Sequence, residues 1–178
     1  MVKNIREIFK VFIGGDIGVG KTTFLGDRVE KAVVSDTALT VGVDFYWKKV
    51  EIGENHYKLQ LWDFLGGEKF QNLLSYYVTG SRGVLLFYDI TNPSSFNNID
   101  DWLEVIRKQV GTEKNAPIIM LVGNKTDLDD TRQVSAEDGK IFAKSREIQG
   151  FIECSAKTGK NVSSIFNSLT QLMVKKFV

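Results

Sequence analysis

The residues with the clearest chemical potential stand near the start of the chain, which reads Gly15-Asp-Ile-Gly-Val-Gly-Lys-Thr22. The segment fits the pattern G-x-x-x-x-G-K-[ST], and it lies between an apolar run of strand length and a segment with helical signals. Glycines let consecutive backbone N–H groups point at phosphate oxygens, and a helix N-terminus adds the positive end of its dipole. Lys21 would bring a full charge to the outer phosphates, and the Thr22 hydroxyl suits Mg²⁺, which prefers oxygen ligands. The segment predicts a phosphate-binding loop; a plain glycine-rich turn is disfavoured, because several fixed features coincide.

This loop leaves the base and the reaction open, since kinases, ATPases and GTPases all use one. A second segment, Asn124-Lys-Thr-Asp127, directly follows an apolar run, at the end of a predicted strand where α/β proteins bind ligands. The Asp127 carboxylate can accept from N1–H and the exocyclic amine of guanine, whereas adenine presents an acceptor at N1. A third segment, Ser155-Ala-Lys157, offers the N–H of Ala156 to the guanine carbonyl oxygen. Taken singly, the Asn124–Asp127 segment fits a solvated loop about equally well, but the combination and order of the segments favour guanine.

Length and composition describe an ordinary globular chain. It has 178 residues, 43% of them hydrophobic, which predicts one domain over residues 1–178. Its formal charge of +1 provides no excess field for nucleic acid, and no apolar run approaches the roughly 20 residues that span a bilayer. The single cysteine, Cys154, excludes an intramolecular disulfide and suits a reducing compartment. We expect a cytoplasmic protein.

The apolar pattern must supply the elements that position these segments. Six runs of strand length alternate with helical periodicity, which predicts an α/β fold. The expected strands are Ile8–Gly14, Val43–Ile52, Tyr57–Trp62, Gly83–Asp89, Ile118–Gly123 and Gly150–Cys154. Helices are expected after Lys21 and at Ser95–Val110, Ser135–Ile148 and Asn161–Phe177. The second and third strands are too close for a helical crossover and must form a hairpin. We therefore expect a mixed six-stranded sheet, mostly parallel with one antiparallel strand, and helices on both faces.

Taken together, the motifs resemble those of Ras-superfamily small GTPases, and the resemblance covers nearly the whole chain. Thr40-Val-Gly-Val-Asp-Phe45, Lys58-Leu-Gln-Leu-Trp-Asp63 and Tyr76-Tyr77 are similar to the Rab family in particular. The resemblance implies a P-loop NTPase G domain that binds GTP or GDP with Mg²⁺. It also implies a monomer that meets effectors, exchange factors and activating proteins through its switch regions.

The resemblance assigns roles where residues match. It places Mg²⁺ on Thr22, Thr40 and Asp63, the last through water, and gives Gly66 an N–H contact to the γ-phosphate. Lys21, Thr40 and Gly66 are the implied catalytic set. The implied nucleotide-binding set is Gly15, Asp16, Ile17, Gly18, Val19, Gly20, Lys21, Thr22, Thr23, Thr40, Gly66, Asn124, Lys125, Asp127, Ser155, Ala156 and Lys157. The implied effector surface is Val43, Phe45, Trp62, Phe64, Leu65 and Tyr77; ordinary core or surface aromatics are the alternative for its rings.

The second switch motif departs from the family pattern D-T-A-G-Q-E. Here it reads Asp63-Phe-Leu-Gly-Gly-Glu68, so Gly67 replaces the glutamine that orients the attacking water. Glycine has no side chain for this task, and we expect slow intrinsic hydrolysis. Phe64 and Leu65 are bulkier than the residues they replace, and either pack under the switch or expose apolar surface to a partner. Ile17, at a commonly small position, could obstruct an arginine supplied by an activating protein.

Three further residues and the chain end bear on location and binding. Val33 falls where relatives place an aromatic ring against guanine, which predicts faster nucleotide release. Cys154 is expected to be a small buried hydrophobe, and His56 to have no catalytic role. Rab proteins usually end in prenylated cysteines, whereas this chain ends Lys-Lys-Phe-Val178. Either a tail is missing or attachment is not by prenylation, and peripheral membrane contact remains compatible with both.

Three functions compete at this point. The first is a switch enzyme in which the γ-phosphate holds both switch segments until hydrolysis releases them. The second is a GTP-loaded module that binds effectors with little catalysis, which Gly67 and Ile17 favour. The third, a phosphate-loop small-molecule kinase, is disfavoured by the guanine motifs and by the lack of an arginine-rich lid.

Overall fold

The structure, a computed structural model, describes residues 4–31, 42–64, 71–109 and 115–178. The predictions at Val33, Thr40, Leu65, Gly66 and Gly67 lie outside these ranges. Within them, seven strands form one sheet: β1 Ile5–Gly15, β2 Glu30–Lys31, β3 Val43–Ile52, β4 Asn55–Phe64, β5 Gly83–Asp89, β6 Ile118–Asn124 and β7 Gly150–Glu153.

The strand order is β2-β3-β4-β1-β5-β6-β7. Strand β1 is parallel to both β4 and β5, and β5, β6 and β7 continue the parallel set. Only β3 runs against its neighbours, which confirms the predicted hairpin and the single antiparallel strand. The predicted number of strands was wrong by one. Strand β2 has two exposed polar residues, so it carries no apolar pattern, and only its pairing with Tyr46 and Trp47 reveals it.

Among the described residues, six α-helices accompany the sheet: α1 Lys21–Leu25, α2 Gln71–Val78, α3 Pro93–Asn97, α4 Ile99–Gln109, α5 Ala136–Ser145 and α6 Val162–Phe177. Short 3₁₀ helices occupy Gly26–Arg28 and Thr126–Thr131. The single helix expected at Ser95–Val110 is two helices, α3 and α4, and α2 was not predicted. In the described part of the chain, no helix is both long and apolar enough to cross a bilayer.

Local chemistry fixes several helix starts. Asn92 accepts a hydrogen bond from the Ser94 N–H at the start of α3, where Pro93 occupies a position that needs no donor. Ser135 accepts from the Asp138 N–H at 3.0 Å and caps the start of α5. Helix α5 nevertheless ends at Ser145, three residues before the expected end.

Two apolar cores cover the two faces of the sheet. On one face, Val11, Ile13 and Leu61 pack beneath α1 and α6, where the rings of Phe24 and Phe166 contact each other at a tilt, with 5.0 Å between their centroids. On the other face, Phe12, Leu86 and Leu121 pack beneath α2 to α5. Strands β5 and β6 are buried along their whole length, as their continuous apolar sequences predict. Because these strands are parallel, the loops after β1, β5, β6 and β7 gather at one edge of the sheet.

Candidate functional site

The loop between β1 and α1 has the backbone that its glycines predict. Gly15, Gly18 and Gly20 have φ of 130°, 82° and 98°, in the region that L side chains rarely adopt. A Cβ on Gly15 would collide with the Phe87 carbonyl, and one on Gly20 would collide with the Asn124 side chain. The loop therefore curls only because these positions carry no side chain.

Lys21 is held at the centre of this curl. Its Nζ donates to the carbonyls of Gly15 and Asp16 at 2.6 and 2.8 Å, and the residue is 5% exposed. Burial lowers the pKa of Lys21 to about 8, and the charges of Asp63 and Asp16 oppose that fall. A buried ammonium at the start of a helix can stabilise a polyphosphate, whose charge would in turn raise the pKa again.

Thr22 and Asp63 lie together, as a shared Mg²⁺ site requires. The Thr22 hydroxyl donates to Asp63 Oδ2 at 2.9 Å, and Asp63 is completely buried. Its other oxygen, Oδ1, has no hydrogen-bond partner among the described residues. Burial raises the pKa of Asp63, while the Thr22 hydrogen bond and the charge of Lys21 oppose the rise. A buried carboxylate oxygen left over beside a hydroxyl fits a hard cation.

Asp16 contacts Lys21 through its backbone carbonyl, whereas its carboxylate has other partners. That carboxylate accepts from Asn98 Nδ2 at 2.7 Å and from Trp102 Nε1 at 3.1 Å, which ties the loop to α4. Trp102 also packs edge-on against Phe64, with 6.0 Å between ring centroids. No local pattern pointed to Asn98 and Trp102 as partners of Asp16, because they lie more than 80 residues from it.

Ile17 is 73% exposed at the mouth of the loop. Its branched side chain therefore projects outward, as obstruction of an incoming arginine requires. Val19, by contrast, is buried in the core beneath the loop. Thr23 is exposed, and its carbonyl accepts a hydrogen bond from Arg28 at 3.3 Å.

Asn124 joins the phosphate loop to the Ser155–Lys157 segment, which we call the guanine loop. Its Nδ2 donates to the Val19 carbonyl at 2.8 Å, and its Oδ1 accepts from the Ala156 N–H at 2.9 Å. The residue is 1% exposed. The contact expected from the Ala156 N–H to the guanine carbonyl stays a prediction, because the same N–H already donates to Asn124.

Asp127 is exposed, and Ser155 orients it. The Ser155 hydroxyl donates to Asp127 Oδ1 at 2.6 Å, which turns the carboxylate towards the guanine loop. Two loops from different ends of the sequence thus present one acceptor group, as recognition of a donor pair requires. Lys157 in the guanine loop is exposed, so its aliphatic chain is free to cover a planar base.

Lys125 forms an ion pair with Asp89 that was not predicted from the sequence. Its Nζ lies 2.6 Å from Asp89 Oδ2, and its backbone has a φ of 73°. Burial opposes ionisation of Asp89, but hydrogen bonds from Lys125 and Thr91 outweigh it and hold the pKa of this carboxyl below its usual value. The available signal was positional: Asp89 ends a buried strand and pairs in register with Asn124.

The expected effector surface divides into two parts. Phe45, Trp62 and Tyr77 are half-buried and in contact, with centroid distances of 4.6 Å for Phe45–Trp62 and 5.9 Å for Trp62–Tyr77. Val43 and Phe64 are only 2% and 1% exposed, so their assignment to this surface is corrected: both are core residues. Of the two alternatives for Phe64, packing inside is the one observed.

The remaining residues lie away from the site or support it from within. Cys154 is fully buried as predicted, and burial raises the pKa of its thiol to about 12. His56 pairs with Glu51 across the β3–β4 hairpin at 3.1 Å, at the opposite end of the strands from the phosphate loop. Its expected lack of a catalytic role stays a prediction.

A phosphate loop and a guanine loop, stapled together at the carboxyl edge of a mostly parallel sheet, define the G domain of a P-loop NTPase. The chain belongs to the Ras family, whose sequence model matches residues 10–175. It is 38% identical to Ras-related protein SEC4 of Saccharomyces cerevisiae, over 98% of this chain and 79% of that protein. It is also 38% identical to Ras-related protein Rab-8B of Homo sapiens, over 99% of this chain and 83% of that one. With Ras-related protein Rab-3 of Caenorhabditis elegans the identity is 38%, over 98% and 78%. The chain is a Rab-like small GTPase, a GTP/GDP switch.

Proposed function

We propose that this GTPase is a slow switch, which holds GTP with Mg²⁺ in the site described above and hydrolyses it weakly. The observation that supports the nucleotide site is the pair of hydrogen bonds made by the Asn124 side chain, which connects the phosphate loop to the guanine loop; we call this pair the Asn124 staple. The observation that carries slow hydrolysis is Gly67 at the glutamine position. By analogy with the Rab branch, we assign the switch to membrane trafficking or signalling.

Mg²⁺ would be held by the Thr22 hydroxyl and, through water, by Asp63. The unpartnered Oδ1 of buried Asp63 supports this assignment. Mg²⁺ prefers oxygen ligands and is commonly bound by one or two protein groups together with substrate phosphates. When bound, the ion neutralises charge on the β- and γ-phosphates. Thr40, expected as a further ligand, belongs to the same proposal.

The residues of this chain bind the nucleotide in three ways. Lys21 and the phosphate-loop N–H groups hold the phosphates, Asp127 reads the donor edge of guanine, and Lys157 covers the base. Once a base covers the Asp127 carboxylate, adenine would present an acceptor to it and leave it unpaired, so selectivity on the order of 10⁴ is expected. Calorimetry with GDP and ADP in the presence of Mg²⁺ tests this selectivity. Equal uptake of the two nucleotides would contradict the guanine assignment.

Hydrolysis is tested by single-turnover cleavage of GTP with the wild-type chain and with Gly67→Gln and Gly67→Ala. The glutamine variant should cleave faster because it restores an amide that can orient water, provided that Ile17 leaves room for it. The alanine variant is the matched control, since it adds a side chain without an amide, and should stay near the wild-type rate. Wild-type cleavage as fast as that of an ordinary Rab protein would refute slow hydrolysis.

A second function, a GTP-loaded module that binds effectors without turnover, is favoured by exposed Ile17. Activating-protein arginines approach the phosphate loop from outside, where this side chain projects. The nucleotide extracted from the purified protein distinguishes the two functions. Mostly GDP supports the slow switch, whereas GTP that persists through purification supports the module. In both cases the contacting aromatics Phe45, Trp62 and Tyr77 are the proposed effector contacts.

A further inference from the structure

Arg28 connects two parts of the nucleotide site that are distant in sequence. It ends the 3₁₀ turn Gly26–Arg28, which follows α1 directly. Its Nη2 donates to the Ala156 carbonyl at 3.0 Å, and its Nη1 lies 3.3 Å from the Thr23 carbonyl as a donor. One guanidinium group therefore spans from the helix that carries Lys21 and Thr22 to the guanine loop.

The position of this guanidinium is itself constrained. Lys48 on β3 donates to the Arg28 backbone carbonyl at 2.8 Å, which fastens the turn to the sheet. Beside the guanine loop, Arg28 Nη2 lies 3.4 Å from the place where a Cβ on Gly159 would stand. Arginine suits this arrangement because its planar fork presents several donors in fixed directions and keeps its charge at all relevant pH values.

Arg28 contacts Ala156, the same residue that is hydrogen-bonded to Asn124. Ala156 donates its N–H to Asn124 Oδ1 and accepts at its carbonyl from Arg28. The guanine loop is thus held from both sides of a single residue, from inside the core by Asn124 and from α1 by Arg28. Movement of this loop away from the base would stretch the bond between Arg28 and Ala156.

We propose that Arg28 is a positioning residue for the nucleotide, which holds the guanine loop against α1 and thereby slows nucleotide release. The inference rests on the proposed binding of guanine nucleotide at this site. Arg28 acts through the Ala156 carbonyl, and the base contacts stay with Asp127 and Lys157. Its effect belongs to the dissociation step, because the loop must loosen before the base can leave.

The test is release of mant-GDP from the full chain, chased with unlabelled GDP in the presence of Mg²⁺. Arg28→Ala should release the nucleotide roughly ten-fold faster, since it removes charge-assisted hydrogen bonds that close the loop. Arg28→Lys keeps the charge but cannot reach both carbonyls with one ammonium group, so we expect an intermediate rate, about two- to three-fold faster.

The matched control is Arg146→Ala. Arg146 makes a two-pronged pair with Asp100 at 2.7 and 2.8 Å, between α5 and α4 and remote from the guanine loop. Its loss should leave the release rate unchanged, while thermal melting of the GDP complex reports any general destabilisation in each variant.

The outcomes separate the possible failures. Release from both Arg28 variants at the wild-type rate would overturn the inference, and so would equal acceleration in Arg28→Ala and Arg146→Ala. If Arg28→Ala does not fold, a wild-type rate in Arg28→Lys would still overturn it. Wild-type protein that binds no guanine nucleotide would instead refute the proposed function.

Discussion

Truncation of Asn124 to alanine should destabilise the protein more than truncation of any other side-chain amide in the site. Asn124→Ala leaves the Val19 carbonyl and the Ala156 N–H without their partners at 2.8 and 2.9 Å. Each buried group that loses its partner costs about 1–3 kcal/mol, so the expected loss in free energy of unfolding is about 4 kcal/mol. In a domain of this size, that corresponds to a fall of roughly 8–16 °C in Tm.

The assay is chemical and thermal unfolding of the GDP complex at a fixed excess of GDP, since bound ligand itself adds stability. Asn161→Gly is the matched control. Asn161 is exposed, has a φ of 63° that glycine tolerates, and donates from its side chain to the Glu153 carbonyl at 2.8 Å. It should cost less than about 1 kcal/mol, because water can replace the lost partner.

Asn124→Ala should also change function. Without the staple, the phosphate loop and the guanine loop are no longer connected, so mant-GDP release should accelerate together with the loss of stability. Two results would refute the argument. One is a stability of Asn124→Ala within about 1 kcal/mol of the control, which would mean that water or a neighbour satisfies both groups. The other is an unchanged release rate.

Three further predictions concern the phosphate loop. Because the pKa of Lys21 is lowered to about 8 and bound phosphates favour its charged form, GDP binding should take up a proton, and affinity should fall as pH rises through about 8. Calorimetry at pH 8 in two buffers measures that uptake, and no uptake would contradict it. Gly20→Ala should abolish GDP binding, since its φ of 98° strains alanine and its Cβ meets Asn124; normal affinity by calorimetry would contradict this. Trp102→Phe keeps the ring but removes the donor to Asp16 at 3.1 Å, so stability should fall by about 1 kcal/mol in denaturant unfolding. Trp47→Phe, on β3, is its control and should change stability less.

The pKa of Lys21 also determines how this residue makes the stability of the nucleotide-free protein depend on pH. The unfolded chain binds a proton at this lysine up to about pH 10.5, whereas the folded chain releases it near pH 8. Between these values the unfolded state carries more protons, so this group makes the free protein more stable as pH rises. Burial of the charged lysine therefore opposes folding below about pH 8, and nucleotide binding offsets that penalty.

Strands and the phosphate loop could be predicted from the sequence because their causes are local. The apolar runs Gly83–Asp89 and Ile118–Gly123 are buried on both faces wherever they are placed, and three glycines in one loop tolerate its left-handed backbone. Helix caps at Asn92 and Ser135 depend on residues two or three positions away. The two-residue strand β2 was not predictable, because its hydrogen bonds depend entirely on β3.

By itself, the sequence determined which residue types can bind phosphate, Mg²⁺ and guanine, because each motif carries its chemistry within a few residues. It also determined that Gly67 has no side-chain amide to orient water. Only the tertiary structure decided which side chains support those motifs: Asn124 between two loops, Asp89 beside Lys125, Asn98 and Trp102 on Asp16, and Arg28 on Ala156. It also decided that Phe64 and Val43 are core residues. The physical reason is that hydrogen bonds and burial depend on distance in space, and each of these pairs is brought together by packing of the sheet and its helices.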